Sequence, residues 1–136
     1  PEYNLYDRQG FEQNLKQICL DHDIGVVSYY SLASGFLSGK YRDLEQVRGS
    51  KRADSLSKYF TARGERILNA LDLVAEHHNA KPADVALAWV LTREGITAPI
   101  ASATTVEQIE SFSKALALKL TTGDLRILEV DSRWSN

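Results

Sequence analysis

The stretch at residues 24–41, IGVVSYYSLASGFLSGKY, decides how the rest of the chain is read. Ile24, Val26 and Val27 form a short, uncharged, β-branched run that closes in two aromatics. Such a run reads as a strand buried on both faces of a parallel sheet. Small residues follow (Ser31, Ala33, Ser34, Gly35, Ser38, Gly39), and Lys40 closes them. Small side chains let a ligand approach backbone N–H groups, and the lysine adds positive charge. Sheets of the α/β class place ligands at the carboxyl ends of strands, so this loop is the first candidate site. The same residues also read as a strand followed by a flexible surface loop.

Upstream, residues 10–22 carry Phe11, Leu15, Ile18, Cys19 and Leu20, the spacing of an amphipathic helix of about three turns. Residues 1–6, PEYNLY, read as the end of a strand, with Tyr3 and Leu5 on one face and nothing before Pro1 to pair. Downstream, residues 42–63 are polar and basic, and so long a connection is uncommon without a function or partial disorder. Helical periodicity returns at 65–78 through Ile67, Leu68, Leu71, Val74 and Ala75. Asn79-Ala80-Lys81-Pro82 breaks it, and Pro82 is placed to open the next helix, 83–93. Val85, Ala86, Ala88, Trp89 and Leu91 predict that most of that helix is buried. Residues 96–101, ITAPIA, read as a short strand with a bulge near Pro99. Thr104-Thr105-Val106-Glu107 has the capping-box form for a helix at 106–116. A last helix spans 124–134 on Leu125, Ile127, Leu128 and Val130.

Strands alternating with helices predict right-handed βαβ units and a parallel sheet. Three parallel strands leave two unpaired edges, which is a poor independent fold. With 136 residues, 43% of them hydrophobic, the chain has material for one core. Its net charge is -2 with acids and bases interspersed, which argues against a nucleic-acid surface. No apolar run approaches the ~20 residues of a membrane span, and the start shows no signal peptide. The lone cysteine, Cys19, excludes an internal disulfide framework and fits a reducing, cytoplasmic setting.

Sharper motifs fail on spacing. Gly35-Phe36-Leu37-Ser38-Gly39-Lys40-Tyr41 resembles a P-loop, but it is one residue short and Tyr41 replaces the Ser/Thr that would hold magnesium. His22, His77 and His78 sit at polar helix ends without a partner at metal-ligand spacing, so no metal site is assigned. No serine stands in a nucleophile elbow, and no carboxylate pair stands out. Cys19 reads as a small buried hydrophobe of its helix.

Three stretches together resemble the C-terminal portion of an aldo-keto reductase, an NADP(H)-dependent (β/α)₈ barrel. They are PEYNLYDR at 1–8, SYYSLASGFLSGKY at 28–41, and APIASATTVEQI at 98–109. The second follows the family's aromatic-Ser-Pro-Leu-Ala-x-Gly-x-Leu-x-Gly-Lys-Tyr form, and the third its stretch after the last barrel strand. The resemblance implies an α/β fold: a partial (β/α)₈ barrel, its sixth, seventh and eighth parallel strands with their helices and an extra C-terminal helix. Residues 1–136 would be the C-terminal part of a single barrel domain.

The resemblance also implies the site. Tyr29 takes the position of the aromatic that stacks on the nicotinamide, a flat platform that fixes one ring face. Tyr30, Ser31, Leu32 and Ser34 fall where the family wraps the pyrophosphate, largely through backbone groups. Lys40 matches a lysine that reaches the cofactor's phosphates. Ser102, Thr104 and Gln108 match positions around the adenosine phosphate, at a helix N-terminus that favours anions. Tyr29 also reads as a rim aromatic, Thr104 as a simple helix cap and Lys40 as a solvated lysine.

Departures shape the expectation. Tyr30 and Ser31 replace the usual Ser-Pro, and Phe112 stands where many relatives have an asparagine that contacts adenine. No Arg or Lys lies between Arg93 and Lys114, so a clamp on a 2′-phosphate falls to Lys40, Arg48, Lys51 or Arg52. NADPH is the expected cofactor and NADH the alternative. The family's catalytic Asp, Tyr, Lys and His lie on earlier strands, so no catalytic residue is assigned here and Tyr3 is no substitute. A barrel of this kind needs about 250 residues. The expectation is thus a fragment of a reductase of aldehydes and ketones, inactive without the missing N-terminal half of the barrel. The alternatives are a cofactor-binding regulatory subunit of the same superfamily and a non-catalytic half-barrel module pairing through its edges.

Overall fold

Val26–Ser28 (β1) and Ile96–Pro99 (β2) lie side by side and parallel in the computed structural model, which describes residues 1–134. Val26 pairs with Ile96 and Val27 with Ala98, so Thr97 is the extra residue of a bulge. Thr97 Oγ1 accepts the Val26 N–H at 3.1 Å, replacing the carbonyl that the ladder loses there. The irregularity expected near Pro99 therefore sits two positions earlier. Beyond the proline, the Ile100 N–H donates to the Ser28 carbonyl at 2.7 Å and continues the pairing.

On the other side of β1, Glu2 bridges Tyr29 in parallel. The Tyr29 N–H donates to the Pro1 carbonyl at 3.0 Å, and the Tyr3 N–H donates to the Tyr29 carbonyl at 3.3 Å. β1 is therefore central, but the first of the three expected strands is reduced to this one bridge. The cause lies in Asn4, whose Oδ1 accepts the N–H groups of Tyr6 and Asp7 at 2.8 Å each and turns the chain out of the sheet.

Val26 and Ser28 are buried, whereas Val27 and Tyr29 are 49% and 46% exposed. The expectation of a strand buried on both faces is thus corrected. Side chains alternate across a strand, and this chain supplies packing to one face only.

That packing centres on Pro82–Leu91 (α4), in which every residue from 84 to 90 is buried, as its composition predicts. Pro82 occupies the first helical position, and the Lys81 N–H donates to Asp84 Oδ2 at 2.9 Å. The buried Asp84 also accepts the Ser111 hydroxyl of Val106–Ala117 (α5), tying the two helices together. Trp89 stacks on Tyr3 at 5.6 Å between ring centroids, and Tyr3 meets Phe11 edge-on at 5.0 Å.

The helix at 10–22 is wound as a π turn over Phe11–Leu15 before it continues as Lys16–Asp21 (α1). The long connection is ordered: a 3₁₀ turn at Glu45–Val47 and a short helix at Ala53–Ser57 (α2) bury Val47, Leu56 and Tyr59. Ala62–His77 (α3) starts at Thr61, whose Oγ1 accepts the Gly64 N–H at 3.0 Å. Thr122–Asp131 (α6) packs along α3 and is capped by Thr121 and Asp124. No helix among the described residues is long and apolar enough to cross a membrane.

Candidate functional site

Because β1 and β2 are parallel neighbours, the segments that follow them leave from the same edge of the sheet. Tyr29 ends β1 on the open face, and Tyr30, 57% exposed, lies beside it. Their rings meet edge-on, 5.3 Å between centroids with 67° between planes. An exposed aromatic pair at the carboxyl end of a strand offers a flat apolar ring face and carries two polar tips.

The loop beyond is built from conformations that side chains seldom adopt. Tyr30, Ala33 and Ser34 have φ of 52°, 50° and 58°, and Gly35 and Gly39 have 97° and 71°. For a non-glycine residue each such φ costs about 1–3 kcal/mol, and strain of this kind gathers at ligand sites. Hydrogen bonds hold it: the Ala33 N–H donates to the Tyr30 carbonyl at 2.7 Å, and the Gly35 and Leu37 N–H groups donate to the Leu32 carbonyl at 2.9 and 3.2 Å. Ser31 is buried with its hydroxyl 3.4 Å from the Ser28 carbonyl, so its side chain is turned inward. Leu32 packs half-buried against the core, while Ser34 remains partly open. Lys40 is exposed with its Nζ 5.2 Å from the Tyr41 ring centre. No carboxylate occurs between Asp23 and Asp43, so the loop's only formal charge is Lys40.

Of the other cations named from the sequence, Arg48 is drawn to Glu45 at 3.1 Å. Arg52 Nη1 comes to 3.6 Å from where a Cβ on Gly35 would stand, which puts a guanidinium against the loop.

After β2, Ser102, Thr104 and Gln108 are all exposed. The capping residue of α5 is Thr105, not Thr104: Thr105 takes an extended backbone and its Oγ1 accepts the Gln108 N–H at 3.3 Å. Gln108 in turn reaches back, its Oε1 accepting the Thr104 N–H at 2.7 Å. The cap is thus shifted by one residue and the expected box is not closed: Gln108 rather than Glu107 reaches back, and to the N–H that precedes the cap. Glu107 is held below the usual carboxylate range by its own backbone N–H and the Thr105 hydroxyl. Part of the positive end of α5 is therefore already satisfied by the chain's own side chains. Phe112 lies one turn below Gln108, half-buried.

Residues 1–130 match the profile of the Aldo/keto reductase family. The chain belongs to the aldo/keto reductase family. A probable aldo-keto reductase 1 of Glycine max is 30% identical over 92% of this chain and 36% of that protein. The uncharacterized oxidoreductase YrpG of Bacillus subtilis is 34% identical over 93% of this chain and 37% of its own length. A putative voltage-gated potassium channel subunit beta of Schizosaccharomyces pombe is 29% identical over 95% of this chain and 40% of that protein. Among solved structures, the thermostable aldo-keto reductase Tm1743, in complex with the inhibitor epalrestat, has a TM-score of 0.65 at 21% identity. That likeness covers 96% of this chain and 38% of Tm1743, and it shows the fold. The chain thus spans 36–40% of the length of these relatives. As in those aldo/keto reductases, its parallel strands and their helices form a section of a (β/α)₈ barrel.

Within this barrel section, two grooves of about 580 and 320 Å³ are present, and none of the candidate residues lines either one. The larger runs between residues 42–44 and the start of α3, floored by Phe36 and Leu68. In a barrel the ring of strand ends forms the cleft, and this chain contributes only one arc of it. Among the described residues no group of three or more His, Cys, Asp or Glu is arranged to hold a metal ion. Two of the three histidines placed at polar helix ends, His77 and His78, face a carboxylate. His78 Nε2 lies 2.6 Å and His77 Nδ1 3.5 Å from the carboxylate of Asp124. Burial alone would raise Asp124, but hydrogen bonds from His78, Thr121 and His77 hold it down to about 2. Asn4 was also missed, although an asparagine two residues before Tyr6 is a turn signal.

Proposed function

We propose that residues 1–136 are the C-terminal part of one barrel domain and carry much of the dinucleotide cradle of an oxidoreductase that reduces aldehydes and ketones to alcohols. The observation that carries this reading is the parallel pairing of β1 with β2, which sends the loop of Tyr29–Lys40 and the segment of Ser102–Gln108 off one edge. Supporting it are the exposed Tyr29, the strained and carboxylate-free loop, and the polar start of α5. The donor set suits a dinucleotide: a flat apolar face, backbone groups in a small-residue loop, and cations beside it.

In this reading Tyr29 orients the nicotinamide ring by stacking. Tyr30, Ser31, Leu32 and Ser34 border the pyrophosphate, Ser31 through its backbone alone. Lys40, with Arg52 behind Gly35, balances phosphate charge, while Ser102, Thr104 and Gln108 border the adenosine end. Bound there, the dinucleotide supplies the hydride. NADPH is the form that the family resemblance favours and NADH the alternative. The proton donor and the rest of the pocket belong to the upstream barrel units, so the chain alone gives no turnover. The 42–63 connection forms part of the substrate-side wall, and the setting is cytoplasmic.

Fluorescence titration with NADPH and NADH tests the cofactor, using this chain joined to upstream barrel units. Tyr29→Ala is expected to weaken binding, and equal affinity in wild type and variant would sink the reading. Carbonyl reduction by the purified 136-residue chain would contradict the division of labour.

A second reading is favoured by the likeness to the Schizosaccharomyces pombe subunit beta. The domain would bind the dinucleotide and regulate a partner protein rather than act chiefly as an enzyme. Cofactor binding without turnover of any aldehyde by the complete barrel would select it.

A further inference from the structure

Tyr29 and Tyr30 are consecutive, and in extended backbone their rings would leave opposite faces of the sheet. Tyr30 instead has φ 52°, a conformation in which a bulky aromatic is an outlier. The effect is to bring its ring round to Tyr29, edge-on at 5.3 Å. Its carbonyl is gripped twice, by Asn4 Nδ2 at 2.9 Å and by the Ala33 N–H at 2.7 Å. Asn4 is completely buried, and its Oδ1 is taken by the Tyr6 and Asp7 N–H groups, so the amide cannot swing away.

We propose that Tyr30 is a positioning residue for Tyr29, with Asn4 as its anchor. The Tyr30 ring, packed edge-to-face with it, fixes the plane of the Tyr29 ring, so that a flat heteroaromatic ligand meets a platform already set. This rests on the reading of Tyr29 as the nicotinamide platform and goes beyond it. A lone tyrosine at a strand end rotates freely, and ordering it on binding costs affinity; a ring already held loses less. An edge-to-face pair is the arrangement in which two aromatic quadrupoles attract. It also explains why the chain tolerates a left-handed tyrosine where glycine would fit without strain.

Glycine at this position separates positioning from stability. Tyr30→Gly removes the ring while accepting the same φ, so its melting temperature is expected to rise. Tyr30→Phe keeps the ring and its edge-to-face packing. With the chain joined to its upstream barrel units, NADPH fluorescence titration is expected to show affinity about threefold to tenfold weaker in Tyr30→Gly and nearly unchanged in Tyr30→Phe. The KM for NADPH should rise in step with the loss of affinity. A Tyr30→Gly protein that binds NADPH as wild type does, while Tyr29→Ala loses affinity, overturns the positioning role and leaves the platform standing. Unchanged affinity in Tyr29→Ala overturns both.

Discussion

Arg8 and Glu129, 121 positions apart, meet in a two-pronged pair, Arg8 Nη2 reaching both carboxylate oxygens at 2.8 and 2.9 Å. The same guanidinium holds both oxygens of Glu12, at 2.9 and 3.1 Å, and donates to the Ser132 hydroxyl at 2.6 Å. It is 1% exposed and lies between the rings of Trp89 and Trp134, at 5.1 and 5.4 Å. Burial alone would raise Glu12, but hydrogen bonds from Arg8 and Tyr3 and the charge of Arg93 hold it below the usual carboxylate range. One side chain therefore fastens the chain's first turn to its last helix. Glu12 and Glu129 are 17% and 37% exposed and keep Arg93 at 3.9 and 3.7 Å. Arg8→Ala therefore removes the charge-assisted hydrogen bonds without stranding a buried charge and is expected to cost about 1–3 kcal/mol in urea unfolding. Arg8→Lys should recover only a minor part, because an ammonium cannot fork onto Glu12 and also reach Glu129 and Ser132. Equal stability of Arg8→Lys and wild type would refute the clamp.

Asn4 offers a second test of how the sheet edge is held. Asn4→Ala leaves the Tyr6 and Asp7 N–H groups without a partner and the Tyr30 carbonyl with the Ala33 N–H alone, and an orphaned polar group costs about 1–3 kcal/mol. Unfolding should show a loss of at least 2 kcal/mol by that measure. Amide exchange at Tyr6 and Asp7 should accelerate, and protection equal to wild type would show that Asn4 does not make the turn.

Much of the fold was legible because its signals are local. Pro82 followed by Val85, Ala86, Ala88 and Trp89 can only be a buried helix with a defined start, and the Ile96 strand follows from its neighbours. The loop of Tyr29–Lys40 was legible as a site because small residues after an apolar strand admit a ligand. What was not legible depends on residues far apart in the chain or on the other half of a packing face. The exposure of Val27 reflects what this chain does not cover, which no periodicity within it reports. Tyr30 reads as the next residue of a strand until Asn4, 26 positions earlier, claims its carbonyl. Thr104 and Thr105 are equivalent in pattern, and only the direction in which β2 delivers them makes Thr105 the cap. His78 and Asp124 read separately as helix-end residues, and their pairing appears only when α6 lies against α3.

Gly64 is fixed by approach rather than by backbone conformation. A Cβ there would stand 1.9 Å from the Tyr59 carbonyl oxygen and 3.0 Å from the Phe36 ring. Neither neighbour can yield cheaply: one is backbone and the other is buried between Tyr6, Tyr59 and Phe60. Gly64→Ala would be favourable by helix propensity alone, by up to about 1 kcal/mol. Here it is expected to destabilise by about 1–3 kcal/mol through overpacking, with melting temperature as the readout. A rise in melting temperature would show that the start of α3 shifts freely.

Asp124 gives the fold a defined acid response. Its carboxylate accepts the Thr121 N–H at 2.8 Å and sits 2.6 Å from His78, and its pKa is held at about 2 against an ordinary 3.8. A group whose folded pKa is depressed contributes stability above its unfolded pKa and loses it as pH falls through the folded one. The contribution is therefore full at neutral pH and fades between about pH 4 and pH 2. Asp124→Asn keeps the shape but weakens the cap and the histidine pairing, so at pH 7 it should be less stable by about 1–2 kcal/mol. Urea unfolding of both proteins from pH 7 down to pH 2 should show the gap closing within that window. Glu12 and the other carboxylates titrate in both proteins, so the difference between the two curves reports Asp124 together with the two histidines that face it. A gap that stays constant to pH 2 would mean that the carboxylate's charge contributes nothing to the join between α3 and α6.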